Sequence, residues 1–178
     1  MTFFFVAFLL ILFGLFLLRQ GRRLHVSTGL PAGEVIYSDM GAWEEVEKPL
    51  RSRRWGLIGR PDYLVRVKEG RRTMTVPVEV KSRTAPSMPY EGHVLQLAAY
   101  CLLVEDNHKA RPPYGMLHYA DKTLKIPFTD SLRRQVLDMA DDLRSARRAA
   151  DVHRQHEEAG RCRGCGYIRA CGAEALVD

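Results

Sequence analysis

Two acidic residues and a lysine in the middle of the chain have types and a spacing that could do chemistry together. Asp62 closes a Gly59-x-x-Asp62 segment, Glu79 follows seventeen residues later, and Lys81 follows two residues after Glu79. A hard cation such as Mg²⁺ is usually held by one or two carboxylates, and it can activate water and absorb charge on a phosphate. Residues two apart on a strand share a face, so Lys81 can steady developing charge beside Glu79.

A second polar group lies on a predicted helix. Apolar residues recur at helical spacing from His93 to Glu105, and Gln96 and Tyr100, four residues apart, share one face of that helix. His93 is three residues before Gln96 and lies near the same face. The helix therefore carries a polar side as well as a broad apolar one.

The elements that must position these residues are strands joined by short turns. Residues 55–59, 63–68 and 73–81 are β-type runs, and Glu69-Gly70 supplies a turn between the last two, which predicts a hairpin. On the last run, valines alternate with Glu79 and Lys81, which places the two groups on opposite faces. Further predicted elements are strands at 34–38, 114–119 and 124–128, and a helix from an N-cap at Asp130 to Ala150. This order predicts a mixed α/β sheet flanked by helices.

Composition and charge indicate a globular domain with a basic segment. The 178 residues are 46% hydrophobic and 27% charged, too apolar for general disorder, and the net charge is +6. Between Lys48 and Arg83, eleven Lys or Arg face three acidic residues. Such a segment suits a polyanion partner, because each phosphate it neutralises releases counterions; a solvated basic surface is the alternative.

The three motifs G-x-x-D, E-V-K and Q-x-x-x-Y, in this order, resemble the RecB-like branch of the PD-(D/E)XK nuclease superfamily. The likeness is greatest to the CRISPR-associated iron–sulfur exonucleases. It implies a restriction-endonuclease-like fold and Mg²⁺- or Mn²⁺-dependent cleavage of DNA, as single strands or duplex ends. It also implies that the metal is held by the carboxylates of Asp62 and Glu79 and the carbonyl of Val80. Lys81 would be the catalytic lysine, and Gln96 and Tyr100 would position DNA or the lysine.

Family members usually carry an acidic residue or a histidine upstream of the G-x-x-D segment. His25, Glu44, Glu45 and Glu47 are the candidates here, and each glutamate can equally be a solvated surface charge. If none fills that role, a catalytically weak or inactive nucleic-acid-binding module of the same fold is the rival function. A cluster-based redox sensor is a third possible function.

Three of the four cysteines lie near the carboxyl terminus, as Cys162-x-x-Cys165-x5-Cys171. This spacing is similar to the end of the cluster motif of the iron–sulfur members, which implies a [4Fe-4S] cluster. The fourth family cysteine is missing, and Cys101 is expected to be a buried packing residue. A zinc site completed by His153 or His156, or a loop without metal, are the alternatives.

The first segment predicts a membrane anchor. Residues 3–18 contain no polar side chain, and Arg19, Arg22 and Arg23 follow them. Positive charges at that flank favour a single-pass span with the main domain in the cytoplasm. A signal peptide or a buried helix is the alternative. The predicted organisation is an anchor with its basic flank at 1–23, a linker at 24–33, a nuclease core at 34–150 and a cysteine-containing metal or cluster segment at 151–178.

Overall fold

The computed structural model describes residues 34–36, 43–151 and 153–176. The predicted anchor at 1–23 and linker at 24–33 lie outside the described residues, as does His25. Within the described residues, no helix combines the length and the apolar character needed to cross a membrane. The chain divides into two compact units, Met1–Leu137 and Asp138–Asp178.

Short strands and two long helices make up most of the described residues. The strands are β1 (Glu34–Ile36), β2 (Trp43–Glu45), β3 (Leu50–Ser52), β4 (Leu57–Gly59), β5 (Tyr63–Glu69), β6 (Arg72–Lys81), β7 (Tyr114–Tyr119) and β8 (Thr123–Pro127). The helices are α1 (Glu91–His108), α2 (Asp130–Ala146), α3 (Ala159–Arg163) and α4 (Ile168–Cys171), followed by a 3₁₀ turn at Gly172–Glu174.

One mixed sheet organises the first unit. Six strands pair in the order β1-β8-β7-β6-β5-β2, while β3 and β4 form a separate hairpin. β6 and β7 are parallel, and their neighbours in the sheet pair antiparallel. Parallel neighbours need a long crossover, and α1 supplies it between β6 and β7. The predicted mixed α/β sheet flanked by helices is confirmed, and it is consistent with a restriction-endonuclease-like fold.

Strand β6 has two chemically different faces. Val76 and Val78 are fully buried in an apolar cluster with Met116. Glu79 and Lys81 alternate with these valines, and both contact Gln96 on α1. Because successive side chains of a strand point to opposite faces, one strand serves the core and the polar site at once. The predicted alternation is confirmed.

Helix α1 packs closely against the sheet. Its buried apolar residues join a core with β7, β8 and the start of α2, and Cys101 is among them at 1% exposure. This confirms the prediction that Cys101 is a packing residue. On β7, a Cβ added to Gly115 would lie 2.6 Å from Cγ of Leu97, so only glycine allows this approach. The contact between Gly115 and Leu97 thus sets how closely α1 approaches the sheet.

Three local predictions were wrong in detail. The hairpin turn between β5 and β6 is Gly70-Arg71 rather than Glu69-Gly70, because Glu69 pairs with Arg72. Thr129 caps α2, where its Oγ1 accepts a hydrogen bond from the Leu132 N–H at 3.1 Å, and the expected cap Asp130 is the first helical residue. Helix α2 ends at Ala146, four residues earlier than predicted.

Candidate active site

The antiparallel hairpin of β5 and β6 brings the two acidic residues together. Tyr63 pairs with Val78, and one step further along this register Asp62 lies opposite Glu79. The Val80 N–H donates a 2.7 Å hydrogen bond to Oδ2 of Asp62. Since opposite residues of an antiparallel pair share a face, both carboxylates lie on the α1 side of the sheet. The backbone of β6 therefore fixes the orientation of the Asp62 carboxylate.

Glu79 is the centre of a hydrogen-bond network that joins β6 to α1. Its Oε1 accepts hydrogen bonds from Lys81 Nζ and Gln96 Nε2, both at 2.8 Å. Oε1 of Gln96 accepts from Lys81 Nζ at 3.1 Å, and Nε2 of Gln96 also donates to the Tyr100 hydroxyl at 3.0 Å. The five residues that three separate motifs supply thus lie together. Their contacts hold the lysine beside a carboxylate.

The electrostatics of the site follow from its partial burial. Burial raises the pKa of Glu79, which is 7% exposed, and the charge of Asp62 raises it further, against the lowering effects of Lys81 and Gln96. Burial also raises the pKa of Tyr100, so its hydroxyl stays protonated at neutral pH. A carboxylate whose pKa is raised by a like charge beside it is typical of a pair that shares a cation.

The donor set fits a hard divalent cation. Within the described part of the chain, Oδ1 of Asp62 and Oε2 of Glu79 accept no hydrogen bond, so one oxygen of each carboxylate is open to a ligand. Two carboxylates, a backbone carbonyl and substrate oxygens are the ligands that Mg²⁺ takes. Among the described residues, no group of three His, Cys, Asp or Glu side chains is arranged to hold a metal ion.

A cavity of about 240 Å³ opens beside Asp62. Its lining residues are Glu45, Val46, Arg60, Asp62, Tyr63 and Val80. Of the three described candidates for the upstream acidic residue, Glu45 is the one that lines it, and it pairs with Tyr63 across the β2–β5 ladder. Glu44 and Glu47 do not line this cavity. Sequence spacing alone did not separate Glu45 from its neighbours.

The motif glycine has a role that sequence reasoning missed. A Cβ at Gly59 would lie 2.7 Å from Cε1 of Tyr100 and 3.1 Å from Cδ1 of Leu103. The Tyr100 ring therefore packs on the bare Cα of Gly59, and the first and last motifs touch each other. The signal available in the sequence was the glycine of the G-x-x-D motif, three positions before Asp62.

His93 has a different neighbour from the carboxylates. Its Nδ1 shares a 2.9 Å hydrogen bond with the Tyr119 hydroxyl on β7. Burial lowers the pKa of His93, and the charges of Lys81 and Arg83 lower it further. His93 is thus neutral at pH 7 and ties the start of α1 to the sheet.

The cysteine segment belongs to the second unit. Cys162 is buried, whereas Cys165 and Cys171 are half-buried. Sγ of Cys165 accepts a hydrogen bond from the Tyr167 N–H at 3.4 Å, and His153 Nδ1 lies 2.6 Å from Oε1 of Glu174. The described residues contain no ready-made site of three metal-ligating side chains here. A cluster or a zinc ion in this segment stays a prediction.

Comparison with known proteins places the chain in a family. None of the curated proteins matches it. The solved structure described as "Crystal structure of SSO0001" is 20% identical, with a TM-score of 0.46, over 77% of this chain and 63% of that chain. The chain thus spans less than two thirds of the length of that protein. The family model of the PD-(D/E)XK nuclease superfamily matches residues 19–172, which include every described residue of the candidate site. The chain belongs to the PD-(D/E)XK nuclease superfamily.

Proposed function

We propose that this protein is a Mg²⁺- or Mn²⁺-dependent nuclease that cleaves phosphodiester bonds of DNA. The observation that carries the proposal is the meeting of Asp62 and Glu79, each with an open carboxylate oxygen, beside the ammonium of Lys81. A protein that only binds nucleic acid has no physical need for two carboxylates near a phosphate, because they repel it. Membership of the nuclease superfamily supports the same function.

Each residue of the site has a separate task. Asp62, Glu79 and the carbonyl of Val80 would hold the divalent ion, which would activate water and offset charge on the phosphate when bound. Lys81 orients the attacking water or stabilises charge that develops on the phosphate oxygens. Gln96 bonds to both Lys81 and Glu79 and so keeps them in place.

Glu45 supplies the acidic residue that the family places upstream. The support is its position in the cavity that Asp62 also lines. An additional carboxylate would strengthen the hold on the cation through water or directly. The neighbouring Glu44 does not line this cavity, which makes it a matched control.

The finer features of the proposal come from the resemblance to iron–sulfur exonucleases. The proposal includes three such features: digestion from the ends of single or double strands, a [4Fe-4S] cluster at Cys162, Cys165 and Cys171, and a single-pass anchor at 1–23. The described residues do not bring the cluster ligands together, and none of the catalytic residues proposed here lies in this segment. Tethering places the nuclease at the cytoplasmic face of the cell membrane.

The proposal is tested with the full chain in detergent, on single-stranded and duplex DNA with Mg²⁺, Mn²⁺ or EDTA. Asp62→Ala and Glu79→Gln are expected to lose about 100-fold or more in cleavage rate, the size seen when one charge-stabilising group is removed from an active site. Glu45→Ala should also lose rate, while Glu44→Ala keeps it. Near-wild-type cleavage by Asp62→Ala would show that the site is assigned wrongly.

DNA binding without cleavage in either metal would favour the rival function, a binding module of the same fold. The specific observation on its side is that no three His, Cys, Asp or Glu side chains of the described residues are already arranged to hold a metal ion. A gel shift in EDTA measures DNA binding without the catalytic metal. A shift in EDTA together with no cleavage in Mg²⁺ or Mn²⁺ therefore identifies the binding module.

A further inference from the structure

An exposed aromatic side chain stands at the start of α1. Tyr90 directly precedes the helix and is 51% exposed. Its ring meets the His93 ring edge-on, with centroids 5.3 Å apart and planes at 85°. The guanidinium carbon of Arg83 lies 5.7 Å from the Tyr90 centroid. A half-exposed aromatic ring with a cation over it is thus presented to solvent.

The backbone around this ring is firmly held. The Ala120 N–H donates to the Arg83 carbonyl at 3.1 Å, and the Ala85 N–H donates to Oδ1 of Asp121 at 2.7 Å. The Tyr90 carbonyl accepts the His93 N–H at 3.0 Å in the first turn of α1. The segment from Arg83 to Tyr90 is therefore fastened at both ends. Its exposed ring is preorganised, which reduces the cost of ordering it on binding.

The ring lies near the candidate active site at the start of α1. Tyr90 contacts the His93 ring, and His93 and Gln96, three residues apart, are neighbours on the surface of α1. Six residues at about 1.5 Å rise place Tyr90 about 9 Å from Gln96 along the axis. Gln96 bonds to Lys81, and Arg83 is two residues beyond Lys81 on the chain. Tyr90 is therefore joined to the candidate site through its contacts with His93 and Arg83.

The charge of this surface suits a nucleic-acid strand. Arg83 has no carboxylate partner among the residues that the structure describes, and its neighbour Lys81 is the cation of the candidate site. A guanidinium beside an aromatic ring can contact a phosphate while the ring takes the attached base. Stacking needs an uncovered base face, which an unpaired strand offers and an intact duplex does not.

We propose that Tyr90, with Arg83 beside it, forms a stacking platform for an unpaired base next to the scissile phosphate, and that it selects single-stranded DNA. The proposal rests on the nuclease function proposed above and adds to it the determinant of strand preference. Stacking tolerates every base, because each has a π-face, so the platform distinguishes strandedness without reading sequence. The loop that carries Tyr90 ends where α1 begins, and it contains none of the candidate catalytic residues.

Binding without metal tests the platform separately from cleavage. The probe is a short oligothymidine carrying one 2-aminopurine, whose fluorescence falls when the base stacks, titrated with the full chain in EDTA. Tyr90→Ala is expected to weaken single-strand binding by about 5- to 150-fold and to abolish the quench, the range for loss of one stacked base. Tyr90→Phe keeps the ring and should restore both signals. Binding of a blunt duplex should change little in either variant.

Met88→Ala is the matched control, since Met88 is 50% exposed on the same loop but has no π-face. The proposal is overturned if Tyr90→Ala binds the single strand as wild type does, if the duplex loses as much affinity, or if the wild-type chain does not bind the probe. Quenching that depends on Tyr90 in a chain without cleavage would refute the nuclease function and leave the platform standing. Cleavage that is unchanged in Tyr90→Ala would refute the platform and leave the nuclease function standing.

Discussion

Replacement of Gly59 by alanine tests whether the first and last motifs depend on each other. The added Cβ would lie 2.7 Å from Cε1 and 3.2 Å from Cδ1 of Tyr100. Carbon atoms in contact normally lie about 3.5–4.0 Å apart, so the ring must retreat by roughly 1 Å. Leu103, whose Cδ1 would be 3.1 Å away, blocks part of the retreat. The strain falls on α1 opposite β4.

The displaced ring takes the Gln96 contact with it. Tyr100 accepts the 3.0 Å hydrogen bond from Gln96, whose other contacts hold Lys81 and Glu79. Overpacking of this kind typically costs about 1–3 kcal/mol of unfolding free energy. A misplacement of about 1 Å can lower a rate about 100-fold, which equals roughly 2.7 kcal/mol of activation free energy. We therefore expect Gly59→Ala to be folded, less stable and about 10- to 100-fold slower in DNA cleavage, on the scale of that 1 Å misplacement.

Urea unfolding gives the stability, and single-turnover cleavage at a temperature where both proteins are folded gives the rate. Gly92→Ala is the control, because a Cβ there meets nothing within 4 Å and alanine favours the helix by roughly 0.5–1 kcal/mol. It should be at least as stable as the wild type. If Gly59→Ala unfolds earlier but cleaves at the wild-type rate, the packing of Gly59 on Tyr100 does not position the site and the reasoning is refuted.

Two further predictions concern the chain ends. Because the fourth thiolate is missing, we expect substoichiometric metal after aerobic purification, whereas anaerobic purification followed by metal analysis should find iron and sulfide bound through Cys162, Cys165 and Cys171. Stoichiometric zinc would support the alternative site, and no metal together with unchanged stability of the triple Cys→Ser variant would refute both. The segment 1–23 should hold the protein in membranes with its domain in the cytoplasm, so protease added to sealed inverted vesicles should digest the domain, and protection there would reverse the topology.

Much of the fold could be predicted because local patterns and tertiary contacts agree. The alternation of valines with Glu79 and Lys81 predicts two faces of a strand, and both faces are used as expected. Gln96 and Tyr100, four apart on a helix, do share a hydrogen bond. In each case a short-range periodicity determines which side chains point the same way. No long-range information was needed.

Other features could not be read from local pattern. Strands β2 and β3 have three residues each, too few for a period-two signal, and they exist through pairing with β5 and β4. Thr129 and Asp130 are both good caps, and only the hydrogen bond to Leu132 distinguishes them. The selection of Glu45 over Glu44 likewise depends on which of them lines the cavity beside Asp62. These choices are made by tertiary contacts.

The position of the β5–β6 hairpin turn determines which residue lies opposite Asp62 in the candidate site. A two-residue turn at Glu69-Gly70 would place Asp62 opposite Pro77, on the same face as Glu79 but two residues from it. The observed turn at Gly70-Arg71 makes Glu69 pair with Arg72 and so places Asp62 opposite Glu79. Gly70 has φ of 60°, and glycine at the first central position is a favoured hairpin arrangement. The seventeen-residue gap between the two carboxylates is therefore the distance that this turn and this register require for them to face one cation.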